Sequence, residues 1–378
     1  MRRNEPWTKP WRTPSLQAAA VYRARVRGCL LGGALGDALG YPVEFSTLDR
    51  IRAAHGPRGV TGLVPGAHGA VGLISDDTQM TLFTVEALIQ AHARQREKGT
   101  GGAWPLLLRQ AYERWLETQS KPGPEQPAPP RPGVPVNAPA GTPSAGLVTE
   151  AWLYARRAPG NACLSGVAQM YAPDPALPLD GTPGEVNPDS KGCGTVMRSA
   201  PFGLMGGPAE EAFGMAARGA QITHGHPTGY YAAGALAAIV AHLVAGDSLE
   251  GAVLRTVRLL ERHRGHDETT AALREALDLA ADGSPTAEKA ESLGAGWVAE
   301  QALAIGVYCA LAEPRPDEAL LLAVNHSGDS DSTGSICGNL LGALHGDTGL
   351  PHDWVARVEG RARIAALADD LAAEAVRG

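Results

Sequence analysis

The sequence predicts an all-α globule, and three observations favour this fold class. Hydrophobic residues make up 44% of the 378-residue chain but aromatic residues only 5%, and Ala, Leu and Val dominate, which favours closely packed helices over sheets. No alternating run of β-branched and aromatic residues persists for five positions. Several segments instead repeat apolar residues at the spacing of a helix.

Composition also excludes several functional classes. The formal net charge of −7 argues against a nucleic-acid partner, which calls for a clustered basic excess. The 5 cysteines are scattered without a C-x-x-C pair, so a disulfide framework and a zinc ribbon are not expected and a reducing cytoplasm fits best. No run of 18 apolar residues occurs, so no membrane partner is expected. The sequence therefore predicts a soluble, cytoplasmic protein.

Two segments differ from the rest of the chain. Residues 1–18 are predicted to form a flexible arm before a domain that spans residues 19–378. Proline is dense from about residue 121 to residue 142, in "KPGPEQPAPPRPGVPVNAPAGT", which excludes a helix and leaves little to bury. This stretch is predicted to be a disordered surface insertion, with a domain linker as the alternative. An insertion is favoured because Ala-rich helical patterns lie on both sides of it.

A glycine-rich segment, "GCLLGGALGDALGYPVEF", occupies residues 28–45. It invites comparison with a dinucleotide-binding loop, but such a loop follows a strand, whereas the preceding "AAAVYRARVR" suits a helix. The favoured interpretation is that the glycines allow two helices to approach closely. Glu44 lies just beyond this helix beside Phe45, and a carboxylate next to apolar groups can serve as a general acid or base. An ordinary solvated glutamate is the alternative.

Two clusters of oxygen-bearing side chains each precede an amphipathic helix. One lies in "ISDDTQM" and the other, some 250 residues later, in "HSGDSDSTGS". A helix cap requires one carboxylate or hydroxyl, and concentrated like charges cost stability unless a cation or proton compensates. Hard oxygen ligands suit Mg²⁺, Mn²⁺ or Ca²⁺, although an EF-hand is excluded because Leu340 occupies its twelfth position when counting starts at Asp329. Simple capping remains the alternative for each cluster taken alone.

Three later helices are predicted from local signals. "DSLEGAVLRTVRLLERH" begins with Asp247 as N-cap and Glu250 three positions later, which is a capping box. "SPTAEKAESLG" is predicted to begin at Ser284, with proline in its first turn. The run from Pro227 to Gly246 is Ala-rich throughout and is predicted to be a buried helix.

Five motifs together resemble one known family. In chain order they are "GGALGDALGYPVEF", "SDDTQM", "SKGCGTVMRSAP", "ITHGHPTG" and "SGDSDSTGS", and they resemble the ADP-ribosylglycohydrolase family from about Arg25 to Gly346, outside the proline-rich segment. The resemblance implies a single, compact, orthogonal helical domain. It also implies a site for two divalent cations, Mg²⁺ or Mn²⁺, at the base of a cleft for ADP-ribose.

The resemblance assigns roles to residues of both oxygen-rich clusters. Glu44 matches a family glutamate that is a catalytic acid–base residue or gates the site. The family often has threonine at two ligand positions where this chain has serine, and the hydroxyl is retained. The implied metal ligands are Ser75, Asp76, Asp77, Asp329, Asp331 and Ser332, with Asp331 bridging.

A glycine-rich loop and a histidine match substrate-binding positions of the family. The loop, "NPDSKGCGTVMRSAP", wraps ADP-ribose in family members, and Cys193 replaces an asparagine that is often found there. His224 resembles a histidine that lines the substrate cleft. A plain turn for the loop, and helix capping by Thr223 or His226 before Pro227, are the alternatives. The implied substrate-binding residues are Ser190, Gly192, Cys193, Gly194 and His224.

The expected function is metal-dependent hydrolysis of the bond between C1″ of ADP-ribose and an acceptor, first of all arginine on an ADP-ribosylated protein. Some arginine-specific members carry an aspartate where this chain has Ser144 or Ala145, so Glu44 or Glu150 takes that role or the acceptor differs. The alternatives are release from serine, nucleic acid or a small molecule. A non-catalytic ADP-ribose-binding protein, or an immunity protein that meets a toxin through its N-terminal arm, is a further alternative.

Overall fold

The computed structural model of the protein describes residues 16–66, 69–99, 101–125 and 146–377. Within these ranges the chain forms α-helices, short 3₁₀ turns and no strand, so the predicted all-α class is confirmed. The helices are α1 (Leu16–Gly40), α2 (Leu48–His55), α3 (Asp76–Lys98), α4 (Trp104–Ser120), α5 (Asn161–Ala168), α6 (Ala209–Ala220), α7 (Pro227–Ala245), α8 (Leu249–Leu260), α9 (Asp267–Ala281), α10 (Ala287–Ser292), α11 (Ala299–Ala312), α12 (Pro316–Val324), α13 (Ser330–His345), α14 (His352–Val355) and α15 (Arg361–Arg377).

The two segments with unusual composition fall mostly outside the described residues. Residues 1–15 of the predicted arm are not described, and residues 16–18 belong to α1. Residues 126–145, which include most of the proline-rich stretch and the three residues after it, are not described either. Residues 121–125 follow α4 as a bend. The predictions of a flexible arm and a disordered insertion therefore stay predictions.

Helix α7 lies in the core, as its Ala-rich sequence predicts. His226 is its N-cap and accepts a hydrogen bond from Thr228 N at 3.2 Å, and Gly246 ends it with a φ of 106°. Among the described helices it is long and apolar enough to span a membrane, but 78% of its apolar window is buried inside the protein. Helix α7 is therefore a core helix that packs on α6, α8 and α11.

Helices α1 and α13 pack against each other backbone to backbone. Both carry a small residue at every fourth position, and the helices run antiparallel. The facing pairs are Gly28 with Gly342, Gly32 with Gly338, Gly36 with Gly334, and Gly40 with Ser330. A Cβ atom added to Gly342 would lie 1.8 Å from the carbonyl oxygen of Gly28, so no larger residue fits. The glycines thus allow close helix approach and do not form a dinucleotide-binding loop.

This contact positions the ends of the two helices. Because α13 runs antiparallel to α1, its first turn lies beside the last turn of α1, where Gly40 faces Ser330. A 3₁₀ turn, Tyr41–Val43, follows α1 directly and leads to Glu44. Glu44 therefore emerges next to the N-terminus of α13, and α3 contacts both helices.

Two predicted helix starts are wrong by one to three residues. Helix α8 is capped by Ser248, whose hydroxyl accepts a hydrogen bond from Gly251 N at 3.2 Å, while Asp247 instead pairs with His242 and Arg255. Helix α10 is capped by Thr286, so it does not begin at Ser284. In both places two or three neighbouring residues can cap a helix, and the one with extended backbone directly before the first turn does so.

The α1–α13 contact predicts the effect of adding one methyl group. Gly338→Ala is expected to lower the free energy of unfolding by about 3 kcal/mol or more, because its Cβ would lie 1.9 Å from the carbonyl oxygen of Gly32. The gain of about 1 kcal/mol that alanine brings to a helix interior does not offset this. Chemical denaturation measures the difference. Gly123→Ala is the control, since nothing lies within 4 Å of its added Cβ; equal stability of the two variants would contradict the packing described.

Candidate active site

The first half of the site is the N-terminus of α3. Ser75 caps the helix by accepting a hydrogen bond from Asp77 N at 3.2 Å. The carboxylate of Asp37, in the last turn of α1, accepts hydrogen bonds from Ser75 N at 2.9 Å and from Thr78 N at 3.1 Å. This clasp fixes the start of α3 on α1 and leaves the buried side chains of Asp76 and Asp77 at the helix end.

The second half is the N-terminus of α13. Asp329 caps this helix by accepting a hydrogen bond from Ser332 N at 3.3 Å, and Asp331 accepts from the same N–H at 3.0 Å. The thiol of Cys193 donates to Asp329 Oδ2 at 2.7 Å, which ties the glycine-rich loop to this helix end. Asp329 N donates to Ala295 O at 2.9 Å, so the backbone of the capping residue is also held.

Glu44 lies against the second half of the site, and a charge interaction with Asp76 links it to the first half. One carboxylate oxygen from each of Glu44, Asp329 and Asp331 lies within 4.8 Å of the others. Among the described residues, Glu44 Oε2 and Asp77 Oδ1 are buried oxygens without a hydrogen-bond donor. Such atoms are rare in a folded protein and call for a ligand or proton.

The carboxylates of the cluster repel one another at short range. Burial and the charge of Asp331 raise the pKa of Asp37 to about 7 and that of Glu44 to about 11. The charge of Asp331 is a cause of the raised pKa of every other acid in the cluster, which makes it the electrostatic centre. These acids are Asp37, Glu44, Asp76, Asp77 and Asp329.

The donor set fits a hard divalent cation. Its members are carboxylates and hydroxyls, the groups that Mg²⁺, Mn²⁺ and Ca²⁺ prefer, and two of the buried oxygens have no partner. A bound cation offsets the charge that the helix N-termini of α3 and α13 only partly compensate. The group of possible ligands found in the described residues contains no histidine or cysteine, which argues against zinc.

The glycine-rich loop lies beside the acidic cluster. It pairs with the segment before α11: Cys193 N donates to Trp297 O at 3.1 Å, and Ala299 N donates to Lys191 O at 2.8 Å. A Cβ atom added to Gly192 would lie 3.2 Å from Nε2 of His224 and 4.0 Å from Oγ of Ser190. A Cβ on Gly194 would meet the same imidazole at 3.2 Å. The absence of side chains at these glycines leaves the His224 ring against the loop backbone.

His224 is buried and hydrogen-bonded to its neighbour Thr223. Its Nδ1 lies 2.7 Å from Thr223 Oγ1, and Arg198 donates to the same hydroxyl oxygen at 2.6 Å. This hydroxyl also lies 3.3 Å from Ala220 O, and the other ring nitrogen, Nε2, faces Gly192. Burial and the Arg198 charge lower the pKa of His224 to about 3, so the ring is neutral.

All predicted site residues thus lie in the acidic cluster or the adjoining glycine-rich loop. Sequence reasoning missed Asp37 and Arg198, which hold α3 and His224 in place. Asp37 is the only charged residue between Gly28 and Val43, and this signal was available. Glu150, the alternative base, is bound to Trp152 Nε1 at 3.0 Å and to Arg363 at 3.3 Å. Ser144 and Ala145 lie outside the described residues.

Comparison with known proteins identifies the family of the chain. Residues 18–378 match the profile of a family described as ADP-ribosylglycohydrolase. The chain belongs to the ADP-ribosylglycohydrolase family. The predicted resemblance is confirmed, and the protein is a hydrolase of the ADP-ribosyl glycohydrolase class.

Two relatives align over most of the chain, and a third aligns over a short segment. The ADP-ribosyl-(dinitrogen reductase) glycohydrolase of Rhodospirillum rubrum is 25% identical over 343 residues, which cover 89% of this chain and 90% of that protein. An uncharacterised protein of Archaeoglobus fulgidus is 26% identical over 92% of this chain and 95% of its own length. The ADP-ribosylarginine hydrolase Tri1 of Pseudomonas putida is 43% identical, but only over 54 residues, 14% of this chain and 15% of that protein.

A solved structure shows the same fold. It is titled an ADP-ribosylglycohydrolase-related protein complex and is similar with a TM-score of 0.62. The alignment covers 94% of this chain and 99% of the other, at 22% identity. The all-α fold of the ADP-ribosylglycohydrolase family is therefore shared.

The repulsion within the cluster predicts an unusual mutational effect. In metal-free protein, Asp331→Asn is expected to raise the free energy of unfolding by on the order of 1 kcal/mol, because it removes the central charge and keeps the acceptor for Ser332 N. The pKa of Asp37 is raised to about 7, so repulsion within the cluster does not destabilise wild type below about pH 4. The destabilisation of wild type, and with it the advantage of the variant, grows as pH rises to 7. Chemical denaturation with a chelator, across that pH range, measures it.

Addition of Mg²⁺ or Mn²⁺ should make wild type more stable than Asp331→Asn, the reverse of the order expected without metal. Wild type gains about 2.7 kcal/mol at a concentration a hundred times the dissociation constant, and the variant gains little. Asp353→Asn, at an exposed position, is the matched control. A variant less stable than wild type in chelator at pH 7 would contradict the electrostatic description.

Proposed function

We propose that the protein hydrolyses the bond between C1″ of ADP-ribose and an arginine side chain of an ADP-ribosylated protein, using two divalent cations, Mg²⁺ or Mn²⁺. The observation that carries this proposal is the position of Glu44, which has an unpartnered carboxylate oxygen and lies in one group with Asp329 and Asp331 at the N-terminus of α13. Its charge interaction with Asp76 links this group to the N-terminus of α3, some 250 residues earlier in the sequence. One relative is an ADP-ribosylarginine hydrolase, which supports arginine as the acceptor. Another is an ADP-ribosyl-(dinitrogen reductase) glycohydrolase, which supports a protein substrate.

The residues at the two helix N-termini hold the cations in this proposal. When bound, divalent cations supply positive charge for the sugar hydroxyls and lower the pKa of a coordinated water. Asp37 does not serve as a ligand, since its oxygens already accept hydrogen bonds from Ser75 N and Thr78 N. The ligands are Ser75, Asp76, Asp77, Asp329, Asp331 and Ser332.

Glu44 transfers the proton in the proposed reaction. Cleavage breaks the bond between C1″ and the guanidine nitrogen, and the oxygen of water bonds to C1″. One water proton must reach the leaving nitrogen, and we assign this transfer to Glu44, whose Oε2 has no hydrogen-bond partner in the protein. The developing positive charge on the sugar ring, typical of glycoside hydrolysis, is stabilised by the surrounding carboxylates.

The glycine-rich loop and His224 bind ADP-ribose in this scheme. Gly192 and Gly194 let the backbone approach the diphosphate, Ser190 offers a hydroxyl, and the neutral His224 ring packs against the loop. Cys193 acts differently, because its N–H and its thiol are both engaged, with Trp297 O and Asp329 Oδ2. We assign Cys193 to the positioning of Asp329. The five cysteines are free, which supports action in the cytoplasm.

An acceptor panel tests the proposed function. Wild type is expected to release ADP-ribose from an ADP-ribosyl-arginine peptide only when Mg²⁺ or Mn²⁺ is present. Asp331→Ala should lose at least about 100-fold in kcat/KM, and Asp353→Ala should not. Equal release by wild type and Asp331→Ala would contradict the metal mechanism. Release from an ADP-ribosyl-serine peptide alone would change the acceptor, and binding of ADP-ribose without release from either peptide would favour a binding protein.

Replacement of the Glu44 carboxyl separates proton transfer from binding. Glu44→Gln is expected to lower kcat by about 10²- to 10⁴-fold, while the Kd for ADP-ribose changes little because the size of the side chain is kept. Single-turnover kinetics and calorimetric titration measure the two quantities. Glu97→Gln, on the exposed side of α3, is the control. A Glu44→Gln enzyme with unchanged kcat would remove Glu44 from the chemistry.

A further inference from the structure

Two aromatic side chains form an exposed stacked pair beside the acidic cluster. The rings of Phe45 and Trp297 have centroids 5.1 Å apart and planes inclined by 23°. Phe45 is 67% exposed and Trp297 is 39% exposed, which places both among the most exposed large apolar residues of the described chain. Open aromatic surface of this kind, next to a site, is typical of ligand recognition.

Phe45 is held in its place by the backbone. It directly follows Glu44, and its φ of 65° lies in the left-handed region that bulky residues rarely adopt. Hydrogen bonds on both sides fix this geometry: Glu44 N donates to Gly40 O at 2.9 Å, and Ser46 N donates to Val43 O at 3.0 Å. Backbone strain at a site residue is a recurrent feature of functional positions. With this backbone conformation the Phe45 ring is exposed to solvent while the Glu44 carboxyl is buried in the cluster.

Trp297 is fixed between the two other parts of the site. Its carbonyl accepts a hydrogen bond from Cys193 N of the glycine-rich loop, at 3.1 Å. Two residues earlier, Ala295 O accepts from Asp329 N at 2.9 Å. Gly296 lies so close to α13 that an added Cβ would be 3.2 Å from that of Asp329. The indole therefore stands at the border of the acidic cluster, as Phe45 does.

We infer that the Phe45–Trp297 pair binds the guanidinium group of the ADP-ribosylated arginine and selects arginine as the acceptor. This inference rests on the proposed function. Aromatic faces attract planar cations, and guanidinium stacks on them better than other cationic groups. A serine leaving group has neither positive charge nor a planar face, so it gains nothing from the pair.

The position of the pair favours the leaving group over the adenine of ADP-ribose. Phe45 directly follows Glu44, the residue proposed to transfer the proton to the leaving nitrogen, and its partner Trp297 belongs to the segment that contacts Asp329, so the pair borders the acidic cluster. The adenine is separated from C1″ by two riboses and a diphosphate. A ring next to Glu44 therefore meets the acceptor side of the substrate.

Steady-state kinetics with matched variants test this inference. Phe45→Leu and Trp297→Leu are expected to lower kcat/KM for an ADP-ribosyl-arginine peptide by about 5- to 30-fold, with the Kd for free ADP-ribose unchanged. Phe45→Tyr and Trp297→Phe, which keep an aromatic face, should retain most of the activity. Met170→Leu is the control, because Met170 is 60% exposed with a φ of 56° and so resembles Phe45 in both respects. Unchanged ADP-ribose binding shows that the variants are folded.

A binding experiment separates failure of this inference from failure of the proposed function. Agmatine, a small guanidinium compound, is titrated calorimetrically into Mg²⁺-loaded protein that is saturated with ADP-ribose. Wild type should bind it, and Phe45→Leu and Trp297→Leu should bind it about 5- to 30-fold more weakly. Absence of agmatine binding to wild type would overturn the inference whatever the enzyme hydrolyses. Equal weakening of free ADP-ribose binding would assign the pair to adenine and overturn it as well. The activity of wild type on the acceptor panel judges the proposed function by itself.

Discussion

The backbone contact between α1 and α13 is the constraint on which the rest of the structure depends. Four pairs of small residues let the two helices approach until carbonyl oxygens of one face the Cα atoms of the other. This geometry fixes the angle, the register and the distance of the helices together, because a shift by one residue would place a side chain where only hydrogen fits. Interiors are close-packed, so such a contact leaves little freedom to adjust. The positions of Glu44, Asp37 and the first turn of α13 all follow from it.

A rigid scaffold is needed because the site itself resists formation. Its buried carboxylates repel one another, and the partial positive charges at two helix N-termini offset only part of that repulsion. Packing of apolar helices elsewhere supplies the stability that the cluster lacks. The hydrogen bonds from the start of α3 to Asp37, and from Cys193 to Asp329, hold the two acidic helix ends in place from neighbouring segments. An acidic cluster held in this way is prepared for a cation without having to rearrange.

The sequence predicted the family, the fold class and most acids of the cluster, but neither Asp37 nor the connections between them. Helical periodicity and the two hydroxyl–aspartate motifs are local signals, so they were readable. The clasp by Asp37 depends on where α3 packs, and the pairing of Phe45 with Trp297 joins residues far apart in sequence. The helix starts at Ser248 and Thr286 were misplaced because adjacent residues have similar capping ability, and the local backbone decides among them. The acidic residues of the site were thus readable from the sequence, but the tertiary contacts that hold them in place were not.

The antiparallel pairing of α1 with α13 also has a consequence for how the chain acquires its structure. Asn339 in α13 donates to Cys29 O in α1 at 2.8 Å, a contact that joins residues 310 positions apart. Contacts of such separation form late, because the chain between them must first lose its conformational entropy. During synthesis α1 can pack against α13 only after almost the whole polypeptide has left the ribosome. The two acidic helix ends meet only at that stage, so an incomplete or partly folded chain does not assemble this site.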